Sequence, residues 1–163
     1  MPRVEFETLP ADARLWIFAA SRPLSDEERR RVLAETDAFI DGWTAHGVPL
    51  RAARQIEHNQ FVLVGVDERA AGVSGCSIDA LVRRMGHLQD ALGIELIENA
   101  PVLYREGKAI ARVSRDQFAK LAASGSVTLD TRVFDNTVAN VGDLRSGRWE
   151  VRAGDAWHRR AFF

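Results

Sequence analysis

The run FVLVGVD at residues 61–67 constrains the fold more than any other stretch of this sequence. Apart from Gly65 and Asp67, every residue in it is apolar, and most of them favour β-structure. A short, continuously apolar run of β-forming residues is typical of a strand that is buried on both faces. The run therefore predicts a central strand of a sheet.

The segments around this run predict the order β-α-β-β-α-β. Strands are predicted at 15–21, 50–58, 61–67 and 101–107. The first helix has a capping-box pattern of Ser25 and Glu28, and Gly47 supplies its expected stop. The second helix follows the sequence AGVSGCSIDA and is expected to end at Gly93.

This order is the split βαβ arrangement of ferredoxin-like sandwiches, in which two helices pack on one face of a four-stranded antiparallel sheet. The other face is left for a ligand, a partner or more chain. Residues 108–163 include a short helix with Ser114 and Gln117 as a capping box, but too little apolar material for an independent core. We therefore expect one α+β domain over 1–163, with a ferredoxin-like unit at about 15–107 and a docked C-terminal extension.

The composition excludes several classes of function. A formal net charge of −1 provides no global basic field, which makes a nucleic-acid partner unlikely. One cysteine excludes an internal disulfide and a thiolate metal cage, and the four histidines lack metal-ligand spacing, so no metal and no cofactor are expected. No apolar run approaches the ~20 residues of a membrane span, so we expect a cytoplasmic protein without membrane association.

The loop before the second helix is the best candidate site. Backbone N–H groups of residues 75–78, beginning at Gly75, and the hydroxyls of Ser74 and Ser77 are suited to hold a small anionic ligand. Cys76 lies where a helix N-terminus favours the thiolate, so it is a candidate reactive group. The alternative is a small buried cysteine beneath a well-capped turn.

Two carboxylates are the predicted neighbours of Cys76. Asp67 ends the central strand and opens toward the loop, whereas Asp79 lies in the first turn of the helix. His87 lies about 16 Å further along that helix, at 1.5 Å per residue, and His58 lies at the far end of the hairpin, whereas His158 in the C-terminal third remains free to approach Cys76. Cys76 and Asp67 are thus catalytic candidates, Asp79 is a ligand-binding candidate, and whether the protein is an enzyme stays open.

Asp135 and Asn136 follow a strand-like segment, TRVFDN, and are typical turn formers. If that strand ends beside the glycine loop, their polar groups would complete one pocket with Ser74 and Cys76. Both residues are therefore ligand-binding candidates.

Two alternative functions come from other parts of the chain. A free sheet face or the tail could make the protein a non-catalytic interaction module, including a homodimer. The tail, from residue 145, interleaves arginines such as Arg148 and Arg152 with Trp149 and Trp157, which suits single-stranded nucleic acid. The other interpretation is that the tryptophans anchor the tail while the arginines reach solvent.

Several strings also carry a family resemblance: WIFAASRPLS, GWTAHG, FVLVGVDE, SGCSID and TRVFDN. Together they resemble a group of small uncharacterised bacterial proteins often labelled "ABC transporter ATPase". The label implies ATP hydrolysis, but the G-x-x-x-x-G-K-[ST] pattern that holds nucleotide phosphates is missing, and neither Lys108 nor Lys120 lies near the glycine loop. The resemblance therefore supplies a grouping and no function.

Overall fold

The structure is a computed structural model that describes residues 3–97 and 101–163. It has the predicted α+β character and divides into two compact units, Met1–Ile97 with Ala139–Gly142 and Glu98–Val138 with Asp143–Phe163. Within the described ranges, no helix is long and apolar enough to cross a bilayer. The packing of residues 108–163 on the first part of the chain stays a prediction.

The first unit contains five strands and two long helices among its described residues. In chain order they are β1 (Arg14–Ala19), α1 (Asp26–Asp41), β2 (Thr44–Ala45), β3 (Val48–Pro49), β4 (Arg51–Glu57), β5 (Phe61–Asp67) and α2 (Gly75–Leu92). A 3-10 turn at Phe6–Thr8 precedes them.

Helix α1 begins as predicted but ends earlier. The Ser25 hydroxyl accepts the Glu28 N–H at 3.2 Å, and the Glu28 carboxylate accepts the Ser25 N–H at 2.8 Å, so the predicted capping box is confirmed. The helix ends at Asp41, before Gly42, and not at Gly47. The next residues form the β2–β3 hairpin, which is tight because its turn residues, His46 and Gly47, have φ of 51° and 77°.

Strand β5 is central, as its sequence predicts. It pairs antiparallel with β1 on one edge and with β4 on the other, and all seven of its residues are buried. The predicted β4–β5 hairpin is confirmed, and its turn places His58 and Asn59 at positive φ. Asparagine tolerates this left-handed conformation better than most residues, which favours the turn at this position.

The two faces of β5 pack against different parts of the first unit. Val62, Val64 and Val66 belong to the core that contains the inner residues of α1 and α2. On the other face, Gly65 is so close to the N-terminal segment that an added Cβ would lie 2.6 Å from Leu9 Cδ1 and 3.6 Å from Phe6 Cε2. The sheet face that the sequence predicts to be free is therefore covered by the N-terminal segment at this point.

The second unit has its own sheet and core. Its elements are β6 (Val102–Glu106), β7 (Ala109–Val113), α3 (Arg115–Ala123), β8 (Arg132–Phe134), β9 (Glu150–Arg152), a 3-10 turn (Ala153–Asp155) and α5 (His158–Phe162). Helix α4 (Val141–Arg145) crosses the boundary between the units. The predicted Ser114–Gln117 capping box of α3 is confirmed.

Strand β6 is the main departure from the predicted topology. The sequence predicts it as the fourth strand of a ferredoxin-like sheet, but it pairs with β7 and β8 in a sheet of order β7-β6-β8-β9. The sheet of the first unit has the order β1-β5-β4. The local pattern of β6 fits either sheet, because pairing partners are selected by contacts between residues distant in sequence.

The close packing at Gly65 gives a stability prediction. Gly65→Ala should lower the free energy of unfolding by about 1–3 kcal/mol, because the new methyl group overpacks a buried contact with Leu9. Urea unfolding measures the effect. Gly42→Ala is the matched control, since nothing lies within 4 Å of its added Cβ. Equal unfolding midpoints for the two variants would contradict this account of the packing.

Candidate functional site

The N-terminus of α2 is closed by a capping box made from two serines. The Ser74 hydroxyl accepts the Ser77 N–H at 3.2 Å, while Ser77 Oγ accepts the Ser74 N–H at 2.7 Å. The Ser77 hydroxyl donates to the Ser74 carbonyl at 2.8 Å, and the Ile78 N–H donates to the same carbonyl at 3.0 Å. Both hydroxyls are thus occupied in starting the helix.

This cap determines which donors remain for a ligand. Of the backbone N–H groups from 75 to 78, those of Ser77 and Ile78 are already bonded. In the described part of the chain, the N–H groups of Gly75 and Cys76 have no acceptor, as the first turn of a helix requires. The predicted anion site therefore keeps two of its four backbone donors.

Trp43 holds this end of α2 in place. Its indole N–H donates to the Ser77 carbonyl at 2.9 Å, and its side chain is 3% exposed. Its ring contacts Phe39 of α1 at a centroid distance of 5.1 Å and Trp16 of β1 at 6.1 Å. The indole therefore joins the start of α2 to the end of α1 and to the sheet.

An open groove of about 600 Å³ lies where these elements meet. It is formed by the end of α1, the β2–β3 hairpin and the first turns of α2. Its lining residues are Ala38, Phe39, Gly42, Trp43, Thr44, His46, Ser74, Cys76, Ser77, Ala80 and Arg84. No aspartate or glutamate is among them, so the charged groups that line the groove are basic ones.

Arg84 and His46 reach the groove from different elements. Arg84 lies three turns into α2, with its guanidinium carbon 5.8 Å from the centre of the Phe39 ring. No carboxylate pairs with Arg84 among the residues that the structure describes. His46 is exposed on the β2–β3 hairpin. The groove thus combines the unbonded N–H of Cys76 with a cationic and an imidazole side chain.

Cys76 is exposed and lines the same groove as His46. The alternative of a buried structural cysteine is therefore wrong. The sequence pattern missed His46 because it placed this residue at the end of α1. The sequence does contain a signal for this hairpin. The β-forming residues Thr44 and Val48 flank Ala45-His46-Gly47, in which the glycine favours a turn.

Asp67 lies in a different environment from the one expected. It is 3% exposed, and Arg69 donates to its two carboxylate oxygens at 2.9 and 2.7 Å. The Arg69 hydrogen bonds hold the pKa of Asp67 below its ordinary value, although burial acts in the opposite direction. Arg51 adds a cation at 3.6 Å. Asp67 does not line the groove, and its carboxylate is engaged in these ion pairs.

The remaining predicted acidic and amide groups are also placed elsewhere. Asp79 lines a different hollow on α2, together with Arg83 and His87. Asp135 and Asn136 belong to the second unit. There the Asp135 carboxylate accepts the Thr137 N–H at 3.0 Å, and Asn136 Oδ1 accepts the Trp149 indole N–H at 2.8 Å. The first contact is typical of a turn, and the second is a structural hydrogen bond to a tryptophan.

The tail of the chain is mostly occupied by structural contacts. Trp149 is 6% exposed and packs on Phe134 at 5.2 Å, so it is an anchor. Arg152 pairs with Asp130 and Asp155, and Arg148 pairs with Asp143.

Within the described residues, no group of three or more histidine, cysteine, aspartate or glutamate side chains could hold a metal ion.

No family model, no curated protein and no solved structure matches this chain. The resemblance drawn from the sequence stays an expectation. Function is therefore inferred from the chemistry of the groove.

The serine cap gives a second stability prediction. Ser74→Ala should lower the free energy of unfolding by about 1 kcal/mol, because the Ser77 N–H loses its acceptor at the start of α2. Ser74→Asp should recover most of this loss, since a carboxylate also accepts that N–H. Urea unfolding followed by far-UV circular dichroism measures both. If Ser74→Asp and Ser74→Ala were equally unstable, the cap would not be the source of the effect.

Proposed function

We propose that this protein binds a small anionic ligand in the groove at the N-terminus of α2. The observation that supports it is that Cys76, whose N–H has no acceptor among the described residues, lines one groove with Arg84 and His46, and that no carboxylate is among the lining residues. A phosphate or carboxylate group is the matching chemistry, because its oxygens accept several hydrogen bonds and its charge suits these donors.

The proposed contacts have separate roles. The two N–H groups point along the axis of an 18-residue helix, whose N-terminus carries about half a positive charge. Arg84 supplies a full charge and, because the Phe39 ring restricts it, loses less freedom on binding. Phe39 and Trp43 offer apolar surface beside the donors, so an anion that carries an apolar group fits the groove better than an inorganic ion.

Thiol chemistry at Cys76 is a second candidate function. One observation favours it: His46 lines the same groove as the thiol, so an imidazole is available to accept its proton. In this version Cys76 is the nucleophile, and the N–H groups of Gly75 and Cys76 hold the negative charge that develops on the substrate. Asp67 has no role in it, because its carboxylate pairs with Arg69. The protein is then an enzyme, whereas in the first version it is a binding protein.

Other expectations from the sequence stay as proposals. We propose the cytoplasm as the site of action, and the order β1-β5-β4 supports a partial ferredoxin-like arrangement of the first unit. A non-catalytic interaction module or homodimer is the alternative function. Single-stranded nucleic acid ranks lower, since Arg148 and Arg152 already pair with carboxylates.

Anion binding predicts protection of Cys76. This residue is the only cysteine, so iodoacetamide labelling followed by mass spectrometry reports on the groove alone. Phosphate at about ten times its Kd should slow labelling about tenfold, because the bound anion occupies the space beside the thiol. Sodium chloride at the same ionic strength separates binding from screening. Equal protection by chloride would contradict the proposal.

Arg84 is the side chain whose removal should matter most. Arg84→Gln should weaken phosphate protection about tenfold, the loss expected for one charge-assisted contact. Arg83→Gln is the matched control. It removes the same charge from the adjacent position of α2, but Arg83 lines a different hollow. If both variants lost phosphate protection equally, the effect would come from overall charge, and the groove would not be a specific anion site.

His46→Gln tests the thiol candidate. If His46 assists Cys76, the rate of labelling without phosphate should fall several-fold near neutral pH. His58→Gln is the control, as His58 also lies in a hairpin turn but not in the groove. An unchanged labelling rate in His46→Gln would remove the enzyme candidate while leaving anion binding in place.

A further inference from the structure

His158 is a buried imidazole whose two ring nitrogens have no hydrogen-bond partner. It is 1% exposed, and neither Nδ1 nor Nε2 finds an acceptor or donor in the described part of the chain. A buried polar group without a partner is costly, and a buried charge is more so. The proposed function does not use this residue, which lies in the second unit.

Aromatic rings surround His158. Trp157 stacks on it with ring centroids 4.0 Å apart and planes inclined by 28°. Phe118 of α3 lies 6.1 Å away, edge to face, and Phe162 lies 6.3 Å away on the same short helix. Phe118 in turn packs on Tyr104 of β6 at 5.5 Å. The neutral imidazole suits this apolar site, and the imidazolium does not.

The charged groups around this cluster do not offset that cost. The pKa of His158 is lowered to about 4, chiefly by burial; Asp135, which follows β8, acts to raise it, and Arg115 of α3 acts to lower it. Arg115 lies 4.8 Å from the centre of the Trp157 ring. Arg159 and Arg160 add positive charge on α5 itself, and Tyr104 titrates far above the acidic range because burial raises its pKa.

Residues 156–163 are attached to the second unit through their side chains. The backbone hydrogen bonds that the structure describes for this segment are local, such as Arg159 N–H to the Ala156 carbonyl at 3.2 Å. The preceding turn is fixed more firmly, since the Ala153 and Gly154 N–H groups donate to the Thr131 and Leu129 carbonyls at 2.8 Å. The segment can therefore detach after Gly154 without breaking a backbone hydrogen bond of the sheet.

We propose that residues 156–163 are an acid-released latch: protonation of His158 detaches this segment and exposes Phe118 of the aromatic cluster. In the detached state His158 is solvated and regains an ordinary affinity for protons, near pH 6.5. Detachment is therefore favoured as pH falls below that value, and the effect is complete near pH 4. Over this range the equilibrium for closing should fall by up to about 300-fold, since each pH unit contributes a factor of ten.

Hydrogen–deuterium exchange of the full chain between pH 7 and pH 4.5, corrected for intrinsic exchange rates, tests the latch. Amides of residues 157–163 should lose protection as pH falls, while those of β6 and of α2 keep it. His158→Phe, which keeps a ring but cannot be protonated, should keep the segment protected at pH 4.5. His87→Gln removes an exposed histidine and should behave as the wild type does.

Three results would overturn the latch. The first is amide protection of 157–163 that does not change with pH. The second is loss of this protection at low pH in His158→Phe as well, and the third is simultaneous loss of protection in β6. If His158→Phe does not fold, NMR titration of the histidine rings in the wild-type chain decides. The His158 resonance must then shift over the pH range in which the segment loses protection, and titration over a different range would refute the proposal.

Discussion

Burial of β5 on both faces is the constraint on which the first unit depends. A strand with all seven residues buried must be paired on both edges, and β1 and β4 meet that requirement. Its valines then need an apolar layer, which α1 and α2 provide, while Gly65 allows the N-terminal segment to approach the other face. The positions of both helices follow from this one strand, and the groove exists because their ends meet on the same side of the sheet.

The groove owes its chemistry to the way α2 begins. A helix must leave its first N–H groups without intrahelical partners, and the Ser74–Ser77 cap satisfies only part of that set. Trp43 adds an indole to the Ser77 carbonyl and thereby fixes the first turn of α2 beside the end of α1. The N–H groups of Gly75 and Cys76 therefore stay without intrahelical partners in a turn that Trp43 attaches to the rest of the first unit.

The sequence predicts local structure well where one short pattern decides it. The capping boxes at Ser25 and Ser114 and the central position of β5 are cases of this kind, since each depends on residues within one turn or one strand. The partner of β6 and the hairpin that carries His46 depend on contacts distant in sequence, and periodicity does not contain them. For the same reason the sequence points to Cys76 but not to Arg84 and His46, which line the same groove.

Water makes the start of α2 energetically different from the buried ring of His158. Gly75 and Cys76 are exposed and Cys76 lines a groove, so water can satisfy their N–H groups, and leaving these groups unbonded within the protein costs little. The nitrogens of His158 are buried, so their cost persists for as long as the aromatic cluster stays closed. Under the two proposals, occupation of the groove depends on ligand concentration, whereas closure of residues 156–163 depends on proton concentration. The two groups lie in different compact units.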